Sequence, residues 1–197
     1  RFDMAIAQPI SALVRETFPD EVLNTHQYLG DDTATIKPGR MLEVFRFLRD
    51  DARAAFNVLM DLGGVDYLAF GRGQSSAPSR ATPSPLPYFM KSKPAAAAWE
   101  RGVGEAFRFE VVYHLYSLGR NHRLRVKVVV DERDPSVDSV IGLWRSADWF
   151  EREVWDMYGV IFRGHPNLKR ILMYESFKGH PLRKDYLINK RQPLIGP

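Results

Sequence analysis

The stretch that decides the fold runs from Phe107 to Val130 and reads FRFEVVYHLYSLGRNHRLRVKVVV. Apolar side chains take every second position from Phe107 to Leu115 and again from Leu124 to Val130, on either side of a Gly119-Arg120-Asn121 turn. Successive side chains of a strand point to opposite faces. The pattern therefore predicts a β-hairpin with one buried face and one wetter face.

Two shorter runs beside this hairpin predict further strands. Val65 to Phe70 predicts a short strand before it, and Val137 to Ile141 predicts a third hairpin strand after a turn at Asp134-Pro135. The expected sheet is small, mostly antiparallel and built from about four strands.

The N-terminal third shows helical periodicity. Pro9 and Pro38 each stand where a helix can begin, and apolar residues follow each of them at helical spacing. These two apolar faces are Ile10, Leu13, Val14 and Phe18, and Met41, Val44, Phe45 and Leu48. A third helix, containing Phe56, is expected from a cap at Asp51 to the Gly63-Gly64 pair. Helices packed on a small sheet predict an α+β fold.

A Pro-, Gly- and Ser-rich insertion, at about Gly71 to Ala106, lies between the strand predicted at Val65 to Phe70 and the hairpin. Five prolines between Gly71 and Pro94 disfavour regular structure there. Its Tyr88-Phe89-Met90 triplet can anchor the insertion on a partner protein or pin it onto its own domain. The residues leave both interpretations open.

A further helix is predicted from a cap at Ser146 to Tyr158, and Gly159 is expected to end it. Its apolar stripe consists of Ala147, Phe150, Val154, Met157 and Tyr158. This helix is followed by an extended tail with no helical or strand pattern.

The opposite side of this helix is polar. Asp148, Arg152 and Asp156 follow one another at intervals of four, where they can form ion pairs along the helix. Trp155 lies on the same side. It is therefore covered either by the chain's own C-terminal tail or by another subunit.

Composition and motifs argue against an autonomous enzyme. The chain has no cysteine, which removes disulfides, thiolate zinc sites and cysteine-ligated iron–sulfur clusters. It also lacks a phosphate-binding glycine loop, a nucleophile elbow and the metalloprotease motif. No run of uncharged apolar residues is long enough to predict a membrane-spanning helix.

Spacing disfavours two remaining candidate sites. Glu151 and Glu153 lie two apart and diverge by about 200° on a helix, so they are more plausible as anchors for Arg or Lys than as a catalytic pair. His165 and His180 each stand in a Gly-His-Pro triplet, too far apart for the short ligand pairs of structural metal sites. Each imidazole is expected to hydrogen-bond the main chain in a turn.

Positive charge is concentrated near the C-terminus. Eight basic and two acidic residues lie between Arg163 and Arg191, which gives this part +6 in a chain of net charge +4. A basic tail favours an acidic partner, an anionic membrane or nucleic acid. Arg123, Arg125 and Lys127 also share one strand face, so a basic RNA-binding module is an alternative, although the aromatic RNA-binding motif is missing.

The order of residues after the sheet resembles the 30-kDa subunit, or C subunit, of the proton-pumping NADH–quinone oxidoreductase, respiratory complex I. The matching blocks are Glu151-Arg152-Glu153, Asp156-Met157-Tyr158-Gly159, Phe162, Gly164-His165-Pro166, Leu168-Lys169-Arg170-Ile171-Leu172 and Gly179-His180-Pro181-Leu182-Arg183-Lys184-Asp185-Tyr186. Each block alone is a weak signal, but their order is specific. The resemblance extends from about Phe107 to Tyr186 and is fainter over the N-terminal helices. The insertion departs from it, being longer than the link usual in the family.

This resemblance implies a structural subunit that has no active site and binds no cofactor or metal. FMN, iron–sulfur clusters and quinone are then held by partner subunits of a translocase that carries electrons from NADH to quinone and pumps protons. The implied neighbours in this hetero-oligomeric peripheral arm are the D subunit, which holds the quinone site, and the cluster-bearing B and I subunits. No nucleic acid is expected. Membrane contact is expected only through the complex, on the cytoplasmic side of a bacterial plasma membrane or the matrix side of a mitochondrial inner membrane.

The interpretation divides the chain into an α+β domain over residues 1–162 and an extended basic partner-binding tail over residues 163–197. Ten residues are expected to fix the geometry between helix and tail and the partner interface. They are Glu151, Arg152, Glu153, Asp156, His165, Arg170, His180, Arg183, Lys184 and Asp185. Membrane-bound hydrogenases and other donor-linked quinone-reducing complexes share similar blocks, so the equivalent subunit of such a complex is a second alternative.

Overall fold

The computed structural model describes residues 9–68, 107–187, 189 and 192. This part of the chain forms three helices and two sheets. In chain order the elements are α1 (Ile10–Thr17), β1 (Val22–Tyr28), β2 (Asp31–Ile36), α2 (Met41–Asp50), β3 (Val58–Asp66), β4 (Phe109–Ser117), β5 (His122–Val130), β6 (Ser136–Asp138), α3 (Ala147–Tyr158) and β7 (Ile161–Arg163). The predicted insertion, with its Tyr88-Phe89-Met90 triplet, lies outside the described residues.

The larger sheet has five strands in the order β1-β2-β5-β4-β3. Within it, β2 and β5 pair in parallel and the other three pairs are antiparallel. The smaller sheet is the parallel pair of β6 and β7. The predicted α+β fold with a mostly antiparallel sheet is thus confirmed, with five strands in the main sheet rather than about four.

The predicted hairpin is confirmed as β4 and β5. Tyr113 pairs with Val126 across it, and both side chains are buried. Asn121 adopts a φ of 50° in the turn, a conformation that asparagine tolerates better than most residues. The Tyr116 hydroxyl donates to the Asn121 side-chain oxygen at 2.6 Å, so the turn is held by the strand that precedes it.

All three helices pack on one face of the sheet. The ring centroid of Phe45 on α2 lies 4.6 Å from that of Tyr113, and Tyr158 on α3 lies against Gly64 of β3. The Asp32 carboxylate on β2 accepts the N–H of Ile10 at 2.8 Å. This carboxylate caps α1, because the first N–H groups of a helix have no partner within it.

The helix predicted from Asp51 to the glycine pair is wrong. This region contains β3, which pairs along its length with β4. Long-range hydrogen bonds therefore override the local helical pattern. A Cβ at Gly64 would stand 2.6 Å from Cδ2 of Tyr158, so this glycine lets α3 approach the sheet rather than ending a helix.

Two further strand predictions need correction, and one hairpin was not predicted. Of the strand predicted at Val65 to Phe70, Val65 and Asp66 are the last residues of β3, and Tyr67 and Leu68 lie beyond it. The hairpin of β1 and β2 in the N-terminal third was not predicted, because β1 is largely polar and gives no clear alternation. The strand predicted after Pro135 is shorter than expected and does not join the hairpin, since β6 pairs with β7 instead.

Candidate subunit interface at α3 and the C-terminal segment

Residues 164–187, which we term the C-terminal segment, run along α3 and contain no helix or strand. As predicted, α3 ends at Gly159, which has a left-handed φ of 77°. The segment returns to this end, where the Leu182 N–H donates to the Met157 carbonyl at 3.1 Å. Ser146 precedes α3 but does not cap it, because its hydroxyl donates to the Leu59 carbonyl at 3.2 Å.

Asp156 on α3 is completely buried and forms the centre of this contact. Its Oδ2 accepts the N–H groups of Ile171, Leu172 and Met173 at 3.1, 2.9 and 2.8 Å, and its Oδ1 accepts a guanidinium N–H of Arg170. Burial alone would raise the pKa of Asp156, but the bonds from Met173 and Arg170 outweigh it and hold the pKa below its ordinary value. A charged carboxylate thus fixes one turn of the segment on the helix.

Arg170 carries the contact further along the segment. Its Nη2 donates to the carbonyls of Phe177 at 2.8 Å and Gly179 at 3.1 Å. Its guanidinium carbon lies 5.7 Å from the Trp155 ring centroid, and the His180 ring approaches the same indole, with centroids 6.4 Å apart. Trp155 is therefore covered by the chain's own C-terminal segment, one of the two alternatives that the sequence left open.

Arg152 binds the segment from the neighbouring turn of α3. Its Nε and Nη2 donate to the carbonyls of Lys169 at 3.2 Å and Arg170 at 3.3 Å. The ion pair predicted between Arg152 and Asp156 is therefore wrong, since both side chains bind the segment instead. The same guanidinium lies 5.3 Å from the ring centroid of Trp149, which remains 62% exposed.

Both histidines of the Gly-His-Pro triplets hydrogen-bond the main chain, as predicted. His165 Nε2 lies 3.2 Å from the Asp148 carbonyl, while its Nδ1 accepts the Asn167 N–H at 3.0 Å. His180 Nδ1 lies 3.0 Å from the Asp156 carbonyl. Burial, reinforced by two nearby arginines, lowers the pKa of His180, so the neutral ring donates this bond at pH 7.

The two glutamates of α3 have different surroundings, and neither anchors an Arg or Lys within the described residues. Glu151 is completely buried and accepts the Ser139 hydroxyl at 2.6 Å and the Val140 N–H at 2.7 Å. Burial raises the pKa of Glu151 to about 7. Glu153 is exposed. The anchoring role predicted for Glu151 is wrong, because it holds the loop before α3 instead.

A second contact joins the segment to the edge of the sheet. Asp66 accepts two guanidinium N–H groups of Arg108, at 3.2 and 3.0 Å, and the N–H of Lys184 at 2.8 Å. Arg108 also binds Asp185 at 2.8 Å. Asp66 and Arg108 could not be predicted from the sequence, because Asp66 and Lys184 are 118 positions apart and no local pattern signals their contact.

The predicted site residues therefore fall into four places. Those at the contact with α3 are Arg152, Asp156, His165, Arg170 and His180. Those at the contact with the sheet are Arg183, Lys184 and Asp185. The guanidinium carbon of Arg183 lies 5.0 Å from the Phe109 ring centroid. Glu151 faces the loop before α3, and Glu153 is exposed. The arrangement can hold a segment without secondary structure in one conformation.

Among the residues that the structure describes, no three His, Asp or Glu side chains converge as metal ligands. None of the three described helices is both long and apolar enough to span a bilayer.

The model of the respiratory-chain NADH dehydrogenase 30 kDa subunit family matches residues 34–192, which include α3 and the whole C-terminal segment. The chain belongs to this family. Proteins named as the C subunit of NADH-quinone oxidoreductase agree with the assignment. The one from Roseiflexus sp. (strain RS-1) is 42% identical over 87% of this chain and 79% of its own length. The one from Citrifermentans bemidjiense is 40% identical over 93% of this chain and 88% of its own length. The family predicted from the order of motifs is confirmed, and it is a family of subunits of a respiratory-chain oxidoreductase complex.

Solved structures share the fold. The trypsin-resistant fragment (1-134) of Nqo5 has a TM-score of 0.55 and 29% identity, and the match covers 81% of this chain and 98% of the fragment. A chain of the membrane-bound sulfane sulfur reductase, an archaeal respiratory membrane complex, has a TM-score of 0.60 over 91% of this chain and 85% of its own length. At 16% identity, this second likeness shows the fold alone.

Proposed function

We propose that this chain is a structural subunit of the peripheral arm of NADH–quinone oxidoreductase, without redox chemistry of its own. Family membership supports the complex. The observation that carries the structural role is the C-terminal segment, which Asp156 and Arg170 hold on α3 although it forms no helix or strand. A segment fixed in this way presents side chains to a partner without further loss of main-chain entropy on binding.

The surface next to this contact has the composition of a protein interface. Trp149 is 62% exposed on α3, and the exposed side chains of Leu172, Leu182 and Leu187 belong to the segment. The Trp149 ring is held in place by Arg152, and rigid Trp and Arg side chains dominate the energy of protein interfaces. A neighbouring protein that covers these residues would bury apolar surface that is otherwise in water.

In this proposal the electron carriers belong to other subunits. Electrons pass from NADH through FMN and iron–sulfur centres to quinone in neighbouring chains, and this chain supports their geometry. The lack of cysteine supports this division, because iron–sulfur clusters are held chiefly by thiolates.

The proposed neighbours are the D subunit, which holds the quinone site, and the cluster-bearing B and I subunits. The complex places this chain on the cytoplasmic side of a bacterial plasma membrane, or on the matrix side if the complex is mitochondrial. Its contact with the membrane is through the complex. The +6 charge between Arg163 and Arg191 supports an acidic protein surface as the partner of the C-terminal segment.

Affinity purification of the tagged chain from gently solubilised membranes tests the proposal. We expect flavin- and cluster-bearing subunits to co-purify, identified by mass spectrometry, and the eluate to reduce quinone with NADH. A hydrogenase set would instead make the chain part of a different donor complex. Recovery of the chain alone or with RNA would contradict the proposal.

A further inference from the structure

The face of the sheet opposite the helices carries a groove that the proposed interface does not use. This arginine groove has a volume of about 400 Å³ and is lined by Asp31, Met60, Asp61, His114, Arg123 and Arg125. Arg125 and Arg123 lie on the same face of β5, two residues apart. His114 pairs with Arg125 across the hairpin and with Asp61 on its other side.

Arg125 is half-buried in this groove. Within the described residues, its guanidinium has no hydrogen bond and no ion pair, and the same holds for the imidazole of His114. Arg123 contacts the Tyr116 ring face, 5.8 Å from its centroid, and has no carboxylate partner in the described part of the chain. Arg125 and His114 are partly exposed and Arg123 is exposed, so water reaches these donors. A carboxylate from outside the described residues that takes the place of this water would form charge-assisted hydrogen bonds with the guanidinium groups.

The charge pattern selects the kind of acceptor. Across the strand order β2-β5-β4-β3, Asp31 lies on one flank of the groove and Asp61 on the other, with both arginines between them. Two arginines and two aspartates leave no net charge, so a polyanion such as RNA gains little long-range attraction here. A single carboxylate placed between the aspartates can still form a bidentate bond with a guanidinium.

We propose that the arginine groove binds a single carboxylate side chain of a neighbouring protein in the same assembly. The inference rests on the proposed function, because the occupant is a chain of that complex. Arg125 receives the carboxylate, and Asp31 and Asp61 favour basic residues on either side of it in the partner. This surface is distinct from α3 and the C-terminal segment, which lie on the opposite face of the sheet. The chain therefore contacts its complex on two sides.

Because the chain has no cysteine, a thiol introduced at the groove is the only one in this chain and can be labelled selectively. Met60→Cys introduces a single thiol at a position that is 46% exposed and leaves every charged group of the groove in place. Maleimide labelling is compared between the isolated full chain and the purified complex, with Arg46→Cys, exposed on α2, as the matched control. We expect loss of labelling at position 60 in the complex. Equal labelling in both preparations overturns the proposal.

Cross-linking then identifies the occupant. Arg125→Lys places a primary amine in the groove, and a carbodiimide joins that amine to an adjacent carboxylate as an amide while taking up the water as its urea. We expect a cross-linked peptide containing an Asp or Glu of another subunit. A link to Asp31, Asp61, Glu100 or Glu105 of the same chain, or protection of position 60 that ribonuclease removes, overturns it.

The two proposals fail in different ways. If the chain co-purifies with the flavin- and cluster-bearing subunits but position 60 is labelled freely, the groove proposal fails and the proposed function stands. If no such subunits co-purify, the proposed function fails, and the groove proposal fails with it.

Discussion

At the scale of single residues, Asp156 decides how the C-terminal segment is held. We expect Asp156→Asn to lower the free energy of unfolding by about 3 kcal/mol, because it leaves the largely buried guanidinium of Arg170 without its charged partner. Urea denaturation of the full chain measures the change. Glu153→Gln on the exposed side of the same helix is the matched control and should leave the midpoint unchanged. Equal midpoints for both variants would show that the contact does not stabilise the fold.

Glu151 makes the stability depend on pH. Its pKa rises from 4.5 to about 7 on folding, so between these values the folded chain binds more protons than the unfolded chain. The free energy of unfolding should therefore fall by roughly 1 kcal/mol per pH unit as the pH rises through this window. The contribution is fully present below pH 4.5 and lost above pH 7.

Glu151→Gln provides the control for this dependence. The amide oxygen can accept the Val140 N–H, the amide N–H can donate to the Ser139 hydroxyl oxygen, and the group does not titrate. Urea denaturation between about pH 5 and pH 8 should give a flatter dependence for this variant than for the wild-type chain. An identical slope would assign the pH dependence to other groups.

The individual roles of these residues could be predicted only in part from the sequence. His165 and His180 were expected to bind the main chain, and the proline after each indicated a turn. The three N–H groups that donate to the Asp156 carboxylate could not be predicted, because residues 171–173 reach it only once the segment folds back on α3. The burial of Glu151 could not be predicted either, since its spacing from Glu153 indicated only an anchor for Arg or Lys.

At the scale of elements, the contact between α3 and β3 depends on one glycine. A methyl group at Gly64 would lie 2.6 Å from Cδ2 of Tyr158, so Gly64→Ala should push α3 away from the sheet. We expect a loss of about 2 kcal/mol in the free energy of unfolding. Gly63→Ala is the control, because a Cβ there has no neighbour within 4 Å. If both variants unfold at the same temperature, the close approach of Tyr158 does not limit the packing.

The elements predicted correctly are those whose pattern is local and strong. α1, α2, α3 and the hairpin of β4 and β5 each show a clear helical or alternating periodicity. β3 was assigned to the wrong class because its Leu and Met residues also fit helical spacing, and pairing with β4 decides between the two. β6 was given the wrong partner, since periodicity identifies a strand but not the strand beside it.

At the scale of the whole molecule, the second contact of the segment links the tail to the sheet. We expect Arg183→Gln and Asp185→Asn to reduce the yield of assembled complex, because they loosen the segment at Phe109 and Arg108. The rate of NADH-dependent quinone reduction per assembled complex should stay the same. Quantified complex yield and turnover, measured on the same membranes, separate the two effects.

Arg133→Gln serves as the control for this prediction, since Arg133 is exposed in the turn between β5 and β6. It should assemble as well as the wild-type chain. Normal yield of the Arg183 and Asp185 variants with a selectively lowered rate would contradict a purely structural role for the segment.

By itself the sequence determined the family, the α+β class, the central hairpin and the helices α1, α2 and α3, because each of these depends on contiguous motifs or on short-range periodicity. Only the tertiary structure decided that Val58–Asp66 is a strand, that Trp155 is covered by its own chain, and that Asp66 and Arg108 receive the end of the segment. It also placed Arg125 in a groove without an acceptor among the described residues. Each of these outcomes depends on contacts between groups far apart in the chain. Such contacts contribute to the free energy of folding only once the fold has brought the groups together.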